Sequence, residues 1–297
     1  MKKSYELDMC NGPILGKILV FAIPLMISGI LQLLFNAADI IVVGRFTGSQ
    51  ALAAVGSTSA LINLIINLFI GVSVGANVVV ARNYGAKDYD GIHGAVHTSV
   101  LTAIWGGIIL IFVGILLARP MLEMMGTPED VIDLSVLYMR IYFVGMPAFM
   151  MYNFGAAILR AIGDTKRPLY FLTLSGVVNV VLNLFFVIVF HMGVAGVALA
   201  TIISQAISAF LIILCLMKMD GPCHLDFKHL KFHPEQLKSM LRIGLPAGLQ
   251  GAIFSISNVL IQSSVNSFGS QVMAGNTAAG NIEGFVFTSM NAVYQTA

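Results

Sequence analysis

Seven apolar stretches, each long enough to cross a bilayer, constrain this chain more than any other feature. They run at 14–44, 51–81, 92–119, 131–158, 168–190, 193–217 and 237–268, and an eighth opens near 272 and meets the C-terminus. A membrane helix needs about 20 apolar residues, so several of these stretches can cross with a tilt. All are expected to be helices, because no water inside the hydrocarbon can satisfy an open sheet edge. Composition agrees: 10% of the residues are charged and the mean hydropathy is +0.90, where soluble domains carry about 25% charge. The expected fold is an all-α polytopic membrane protein. A cleaved signal peptide is not expected, since the first apolar run far exceeds the roughly 7–15 residues of a signal core.

The chain also repeats itself. Shifting by 222 positions lays Leu15 on Leu237, Leu19 on Leu241, Pro24 on Pro246, Gly29 on Gly251 and Asn36 on Asn258. After a one-residue slip, Gly48-Ser49-Gln50 falls on Gly269-Ser270-Gln271 and Ala53 on Ala274. A long-period repeat in an apolar chain is the mark of a transporter built from two bundles. The expected organisation is a six-helix lobe over 1–217, an inter-lobe linker over 218–236, and the start of a second lobe over 237–297. Two repeats of about 222 residues would total roughly 440–450. The chain is therefore expected to be part of a longer product and not to transport alone.

Basic residues set the expected orientation. Lys2, Lys3 and Lys17 precede the first span, Arg82 and Lys87 follow the second, and Arg160, Lys166 and Arg167 follow the fourth. Lys218, Lys228, Lys231, Lys238 and Arg242 cluster around the linker, whereas the opposite side has Arg45, Arg119 and Arg140. The positive-inside rule then puts the N-terminus in the cytoplasm of a cell-membrane protein. An even number of spans separates the repeat starts, so the repeat is parallel, about an axis normal to the membrane.

The linker holds Gly221-Pro222 and three histidines, His224, His229 and His233. Their spacing in a lysine-rich stretch reads as a solvated hinge ahead of a metal site. His93 and His97, one turn apart, read as an interfacial helix start. Cys10, Cys215 and Cys223 show no metal spacing and no disulfide framework. No resident metal or organic cofactor is expected, and no nucleic-acid partner.

Charges inside the spans are scarce, which makes each one informative. Asp39 follows Asn36 by three residues and Gln32 by seven, and at 100° per residue the three fall within an arc of about 60°. An ionised carboxylate in hydrocarbon costs several kcal/mol, so Asp39 should face a cavity or hold a proton. That behaviour suits an ion-coupling group. The alternative is a structural aspartate that caps a helix or pairs with Arg45. The second repeat has Ile261 where the first has Asp39, so the coupling chemistry is expected in the first lobe.

Asn153, Asn179 and Asn183 are further ion-coupling candidates beside Asp39 and Asn36, while Gln32, Asn63, Asn67 and Glu283 are candidates for lining a substrate cavity. For the asparagines, interhelical hydrogen bonds worth about 0.6–2 kcal/mol are the competing explanation. Met139, Met146, Met150 and Met151 could line an adaptable cavity or simply pack. Pro24, Pro147 and Pro246 fall within spans, where each removes a helical hydrogen bond and offers a hinge.

Several of these motifs look familiar together. Ile23-Pro24 with Asn36-Ala37-Ala38-Asp39 and Gly44 resembles the first helix of multidrug and toxic compound extrusion (MATE) transporters. Tyr84-Gly85-Ala86 resembles their loop after helix two, and Leu159 to Lys166 followed by Pro168 resembles the loop after helix four. Asn179 through Asn183, Gly193 to Gly196, Ala200-Thr201 and Ser204-Gln205 resemble helices five and six. The resemblance implies two six-helix lobes around a central cavity, in a protein that works as a monomer and is not an enzyme. It implies export of small amphipathic, mostly cationic compounds in exchange for protons or sodium ions. It also implies that Asp39 takes part in coupling, joined by Asn153, Asn179 and Asn183. Two positions depart: Asn183 stands where many relatives have aspartate, and Phe254 where some have a glutamate in helix seven. The coupling ion stays open.

Two other functions compete. A flippase for lipid-linked sugars would line its cavity with basic residues, and here none lies mid-span, Arg140 coming nearest. An integral membrane enzyme would need clustered catalytic groups at one face, whereas these histidines and acids are scattered.

Overall fold

The computed structural model describes residues 14–296. They form nine α-helices in sequence: α1 (Ile14–Phe46), α2 (Ser49–Gly85), α3 (Tyr89–Met124), α4 (Glu129–Val144), α5 (Met146–Ala161), α6 (Lys166–Leu184), α7 (Gly193–Met217), α8 (Pro234–Asn266) and α9 (Ser270–Thr296). No strand occurs among the described residues. Lys2, Lys3 and Cys10 lie outside them.

Six helices are long and apolar enough to cross a membrane on their own. The fourth expected span is not one straight helix. It is α4 and α5, bent by 51° at Gly145, and together they make a seventh crossing. Pro147 sits in the first turn of α5, where its missing N–H costs no helical bond. It lies beside Gly107 of α3, whose bare backbone admits the proline ring. The break is therefore built by Gly145 and Pro147 together. α9 has the length of a span but not the composition, because Asn276, Thr277, Asn281 and Glu283 interrupt its apolar residues.

The short connections are capped as their residues dictate. Asp88 accepts a hydrogen bond from the Gly91 N–H at the start of α3, and Asp164 accepts from the Lys166 and Arg167 N–H groups at the start of α6 while pairing with the Arg167 guanidinium. Gly48 and Gly269, mates in the sequence repeat, both turn the chain in the left-handed region, with φ of 101° and 89°. The same glycine thus opens the second helix of each repeat.

Helices α1–α7 pack around a core rich in alanine, valine and methionine. Met139, Met146, Met150 and Met151 are all buried in it. The second repeat does not hang loose from this bundle. α8 lies along α2 and α9 along α1, and each pair is the repeat image of the other. Gly56 of α2 meets Thr277 of α9, and these two are repeat mates under the 221-residue shift, so the pseudo-twofold axis passes between them.

The linker departs from its expected character. Cys223 and Leu225 are buried, and the Leu225 N–H bonds to the Leu216 carbonyl. His97 is fully buried on α3 with Nδ1 against the His93 carbonyl (2.8 Å) and Nε2 at the Asp226 peptide. Only part of the linker is solvated. The Asp226 carboxylate is held below the usual range by the Lys228 N–H and by His229. The expected hinge is in fact a docked strap, and α8 begins at Pro234.

Candidate coupling site

The site is assembled where α1 and α6 run side by side. Gly176 on α6 has no side chain, and the Phe35 ring of α1 occupies the space a Cβ would take. This close approach brings the next turn of α1 to the next turns of α6. There, Asp39 is buried at 9% exposure, against Asn179 at 5% and Asn183 at 0%. Asn183 donates from Nδ2 to Asp39 Oδ1. The same Nδ2 donates to Asn179 Oδ1 at 3.2 Å, and Asn179 Nδ2 reaches Thr201 Oγ1 of α7 at 3.5 Å. Asn183 Oδ1 is buried with no hydrogen-bond partner among the described residues.

Just beyond Asn183 the helix widens into a π turn over Phe185–Val189. Such turns are frequent at functional sites because the extra residue shifts the helical register. On α4, Tyr138 is buried one turn from Tyr142, their rings 5.9 Å apart. Tyr142 also borders a small cavity at the α4–α5 break, with Gly145, Met146, Phe149, Thr201 and Gln205.

The arrangement is thus a carboxylate with one oxygen on the Asn183 amide, where α1 packs on helices α6 and α7. No ion pair joins Asp39 to Arg45 among the described residues, and Arg45 is exposed. Asn36 and Gln32 are exposed and share only the helix face with Asp39. Asn153 donates to the Phe149 carbonyl of its own helix. Asn63 and Glu283 are exposed, while Asn67 donates to Ser255 of α8 at 2.7 Å. The carboxylate and the two α6 asparagines come together; the other candidates do not join them.

Tyr138 and Tyr142 are additions that sequence reading passed over. Their spacing, one turn apart on an apolar helix, was visible, but nothing in it said which helix they faced. Thr201 was visible only as part of a motif.

Of the expected hinges, Pro24 is buried in α1, and its carbonyl accepts from the Ser28 hydroxyl at 2.8 Å. Pro147 belongs to the break already described. Pro246 is exposed on α8, between Gly244 and Gly248, which face α2.

Among the described residues no group of three or more His, Cys, Asp or Glu side chains could hold a metal ion.

Comparison with known proteins agrees with this architecture. The chain is 32% identical over 274 residues to a probable multidrug resistance protein, YoeA, of Bacillus subtilis, covering 90% of this chain and 59% of that one. It is 24% identical over 264 residues to the multidrug export protein MepA of Staphylococcus aureus, covering 89% of this chain and 58% of the relative. The chain thus spans about three fifths of the length of these relatives. Among solved structures, it is similar to the inward-facing conformation of a multidrug resistance MATE family transporter of the MOP superfamily. The TM-score is 0.82 at 28% identity, covering 89% of this chain and 60% of that one. A MATE structure in the straight conformation also superposes with a TM-score of 0.82 at 28% identity, covering 94% of this chain and 63% of that one. Residues 24–185 match the MatE family itself, which takes in Pro24, Asp39, Asn179 and Asn183 together, and this multi-pass membrane chain belongs to that family of transporters.

Proposed function

We propose that the protein is a secondary active exporter of small amphipathic, mostly cationic compounds, driven by exchange for a proton at Asp39. The observation that carries this reading is the buried Asp39 carboxylate joined to Asn183. Two of its relatives are named as multidrug resistance or export proteins. A buried carboxylate is tolerated in a membrane only when hydrogen-bonded or protonated. Asn183 supports the first condition, and a proton taken from one side and released to the other supplies the second.

The same asparagine favours a proton over sodium. Its amide NH2 lies between Asp39 Oδ1 and Asn179 Oδ1, the oxygens a bare cation would need. Turned around, the amide would set its own oxygen against Asp39 Oδ1, a contact that a protonated carboxyl or a cation would have to bridge. As it stands, the amide takes the cation's place. The basic residues on the linker side support a cytoplasmic N-terminus, so export would run from that side.

The test uses membrane vesicles containing the protein with both lobes complete. An imposed proton gradient should drive dye export, a sodium gradient should not, and Asp39→Asn should lose at least roughly ten-fold in gradient-driven rate at normal expression. Undiminished export by Asp39→Asn would overturn the site. Export driven equally by sodium would overturn the ion while leaving the site.

A further inference from the structure

The strap between α7 and α8 is docked at the depth where the helices on either side of it change character. On α7 the exposed surface is apolar through Phe210 to Met217 and turns basic at Lys218. On α8 the exposed residues are Lys238 and Arg242 first, then Leu245, Leu249 and Ile253. Such a change from basic to apolar side chains marks the edge of the hydrocarbon, with the long cationic side chains reaching to the headgroups. Between these two helices the strap does not rise into solvent. Its Leu225 N–H bonds to the carbonyl of Leu216, inside the end of α7, and the Asp226 N–H reaches His97 in the third turn of α3. The residues that follow therefore lie at headgroup level.

Those residues read Phe227-Lys228-His229-Leu230-Lys231-Phe232. Phe227 and Phe232 are 46% and 43% exposed, with Lys228 and Lys231 exposed between them. Cys223 and Leu225 fill the buried side of the strap, so these two rings are not what docks it. A partly exposed aromatic ring beside basic groups suits the interfacial layer, where the ring meets the acyl boundary and the charge meets the headgroups. Lys218, Lys228, Lys231, Lys238 and Arg242 lie in or beside the strap, and none makes an ion pair among the described residues. Over residues 218–242 these five face three acids, Asp220, Asp226 and Glu235. Of the three, Asp226 is already engaged, by the Lys228 N–H at 2.9 Å and by His229 at 2.7 Å. No acid falls between Phe227 and Phe232.

We propose that the strap from Phe227 to Phe232, with Lys218, Lys238 and Arg242, seats acidic phospholipid headgroups on the linker side of the membrane. A cluster of roughly four to eight basic residues next to a span attracts anionic lipid, and the attraction fades within a Debye length of the surface. Docking at Leu216 and His97 keeps these lysines within that distance. A phosphodiester would accept from the ammonium groups while the two rings lie among the lipid chains below it. A soluble acidic partner would answer the charge but not two aromatic rings set at the edge of the hydrocarbon. The inference is independent of the transport reading.

The experiment places the protein with both lobes complete in nanodiscs of phosphatidylcholine, alone or mixed with phosphatidylglycerol. Its lysines are acetylated briefly with a water-soluble reagent and read by peptide mass spectrometry, with Lys87, exposed on the α2–α3 turn, as internal standard. With phosphatidylglycerol present, Lys228 and Lys231 should react at least roughly five-fold more slowly relative to Lys87. Equal relative rates in the two discs would overturn the proposal. Rates as slow in neutral detergent would also overturn it, because another part of the protein would then cover the strap. Protection by inorganic phosphate added to phosphatidylcholine discs would assign a free-anion site instead and overturn the lipid. A second measurement counts phosphatidylglycerol retained by the intact protein in mass spectrometry. Lys228→Gln with Lys231→Gln should weaken retention at least roughly ten-fold, and Phe227→Ser with Phe232→Ser at least roughly three-fold. Unchanged retention in the lysine variant would show that the seat lies elsewhere. Slow hydrogen exchange at the Leu225 amide marks the strap as docked in each variant, and where a variant undocks, acetylation of the parent protein decides.

Discussion

At the scale of single residues, the site depends on one missing side chain as much as on its polar groups. Gly176 lets the Phe35 ring sit where a Cβ would be, and this sets how near Asp39 comes to Asn183. Gly176→Ala should force the ring aside, costing about 1–3 kcal/mol by overpacking, and should weaken coupling by moving Asp39. Adding Phe35→Leu should restore much of both. Thermal unfolding in detergent together with proton-driven export checks this, and an unaltered melting temperature in Gly176→Ala would count against the account. Asp39 was legible in the sequence because a carboxylate in a span has few reasons to be there. Its joining with the α6 asparagines was legible only through family resemblance. The helical arc shared by Gln32, Asn36 and Asp39 placed three side chains on one face without saying where the neighbouring helix ends. Asn36 and Gln32 fall outside that contact, and Asn153 turns back to its own helix.

At the scale of elements, apolar run length located the crossings but not their interiors. The break at Gly145 is invisible to hydropathy, because α4 and α5 together have the composition of one span. It is encoded instead by a glycine two residues before a first-turn proline, with Gly107 opposite to receive it. The linker misled for the opposite reason. Its lysines and histidines have the composition of a solvated hinge, yet buried Cys223 and Leu225 and a buried imidazole on α3 fasten it. Nε2 of His97 accepts from the Asp226 N–H at 3.3 Å when Nδ1 carries the proton toward the His93 carbonyl at 2.8 Å. His97→Ala should leave that peptide without its partner, at a cost of about 1–3 kcal/mol. Hydrogen exchange over residues 223–230 should then quicken roughly ten-fold, since each 1.4 kcal/mol of local opening is a factor of ten. Exchange as slow as in the parent chain would mean the strap is held by Leu225 and its apolar neighbours instead.

At the scale of the whole molecule, the sequence repeat becomes a physical axis. Residues related by a twofold meet their own mates only on that axis, and Gly56 meeting Thr277 is such a contact. The repeat was legible from scattered identities; which mates would touch was not, because distance from the axis is a property of packing. The contact is one small residue against one larger one, so the space between the helices holds a single side chain. Gly56→Thr alone would place two threonines there and should destabilise by about 1–3 kcal/mol. Adding Thr277→Gly exchanges the pair across the axis and restores one large against one small. The doubly exchanged protein should therefore melt within a few degrees of the parent, while the single variant melts clearly lower, roughly 2–4 °C per kcal/mol for a chain of this size. Thermal unfolding of the purified proteins in one detergent decides it. A double variant no more stable than Gly56→Thr would show that the two mates do not share one space, and the axis would have to lie elsewhere between α2 and α9.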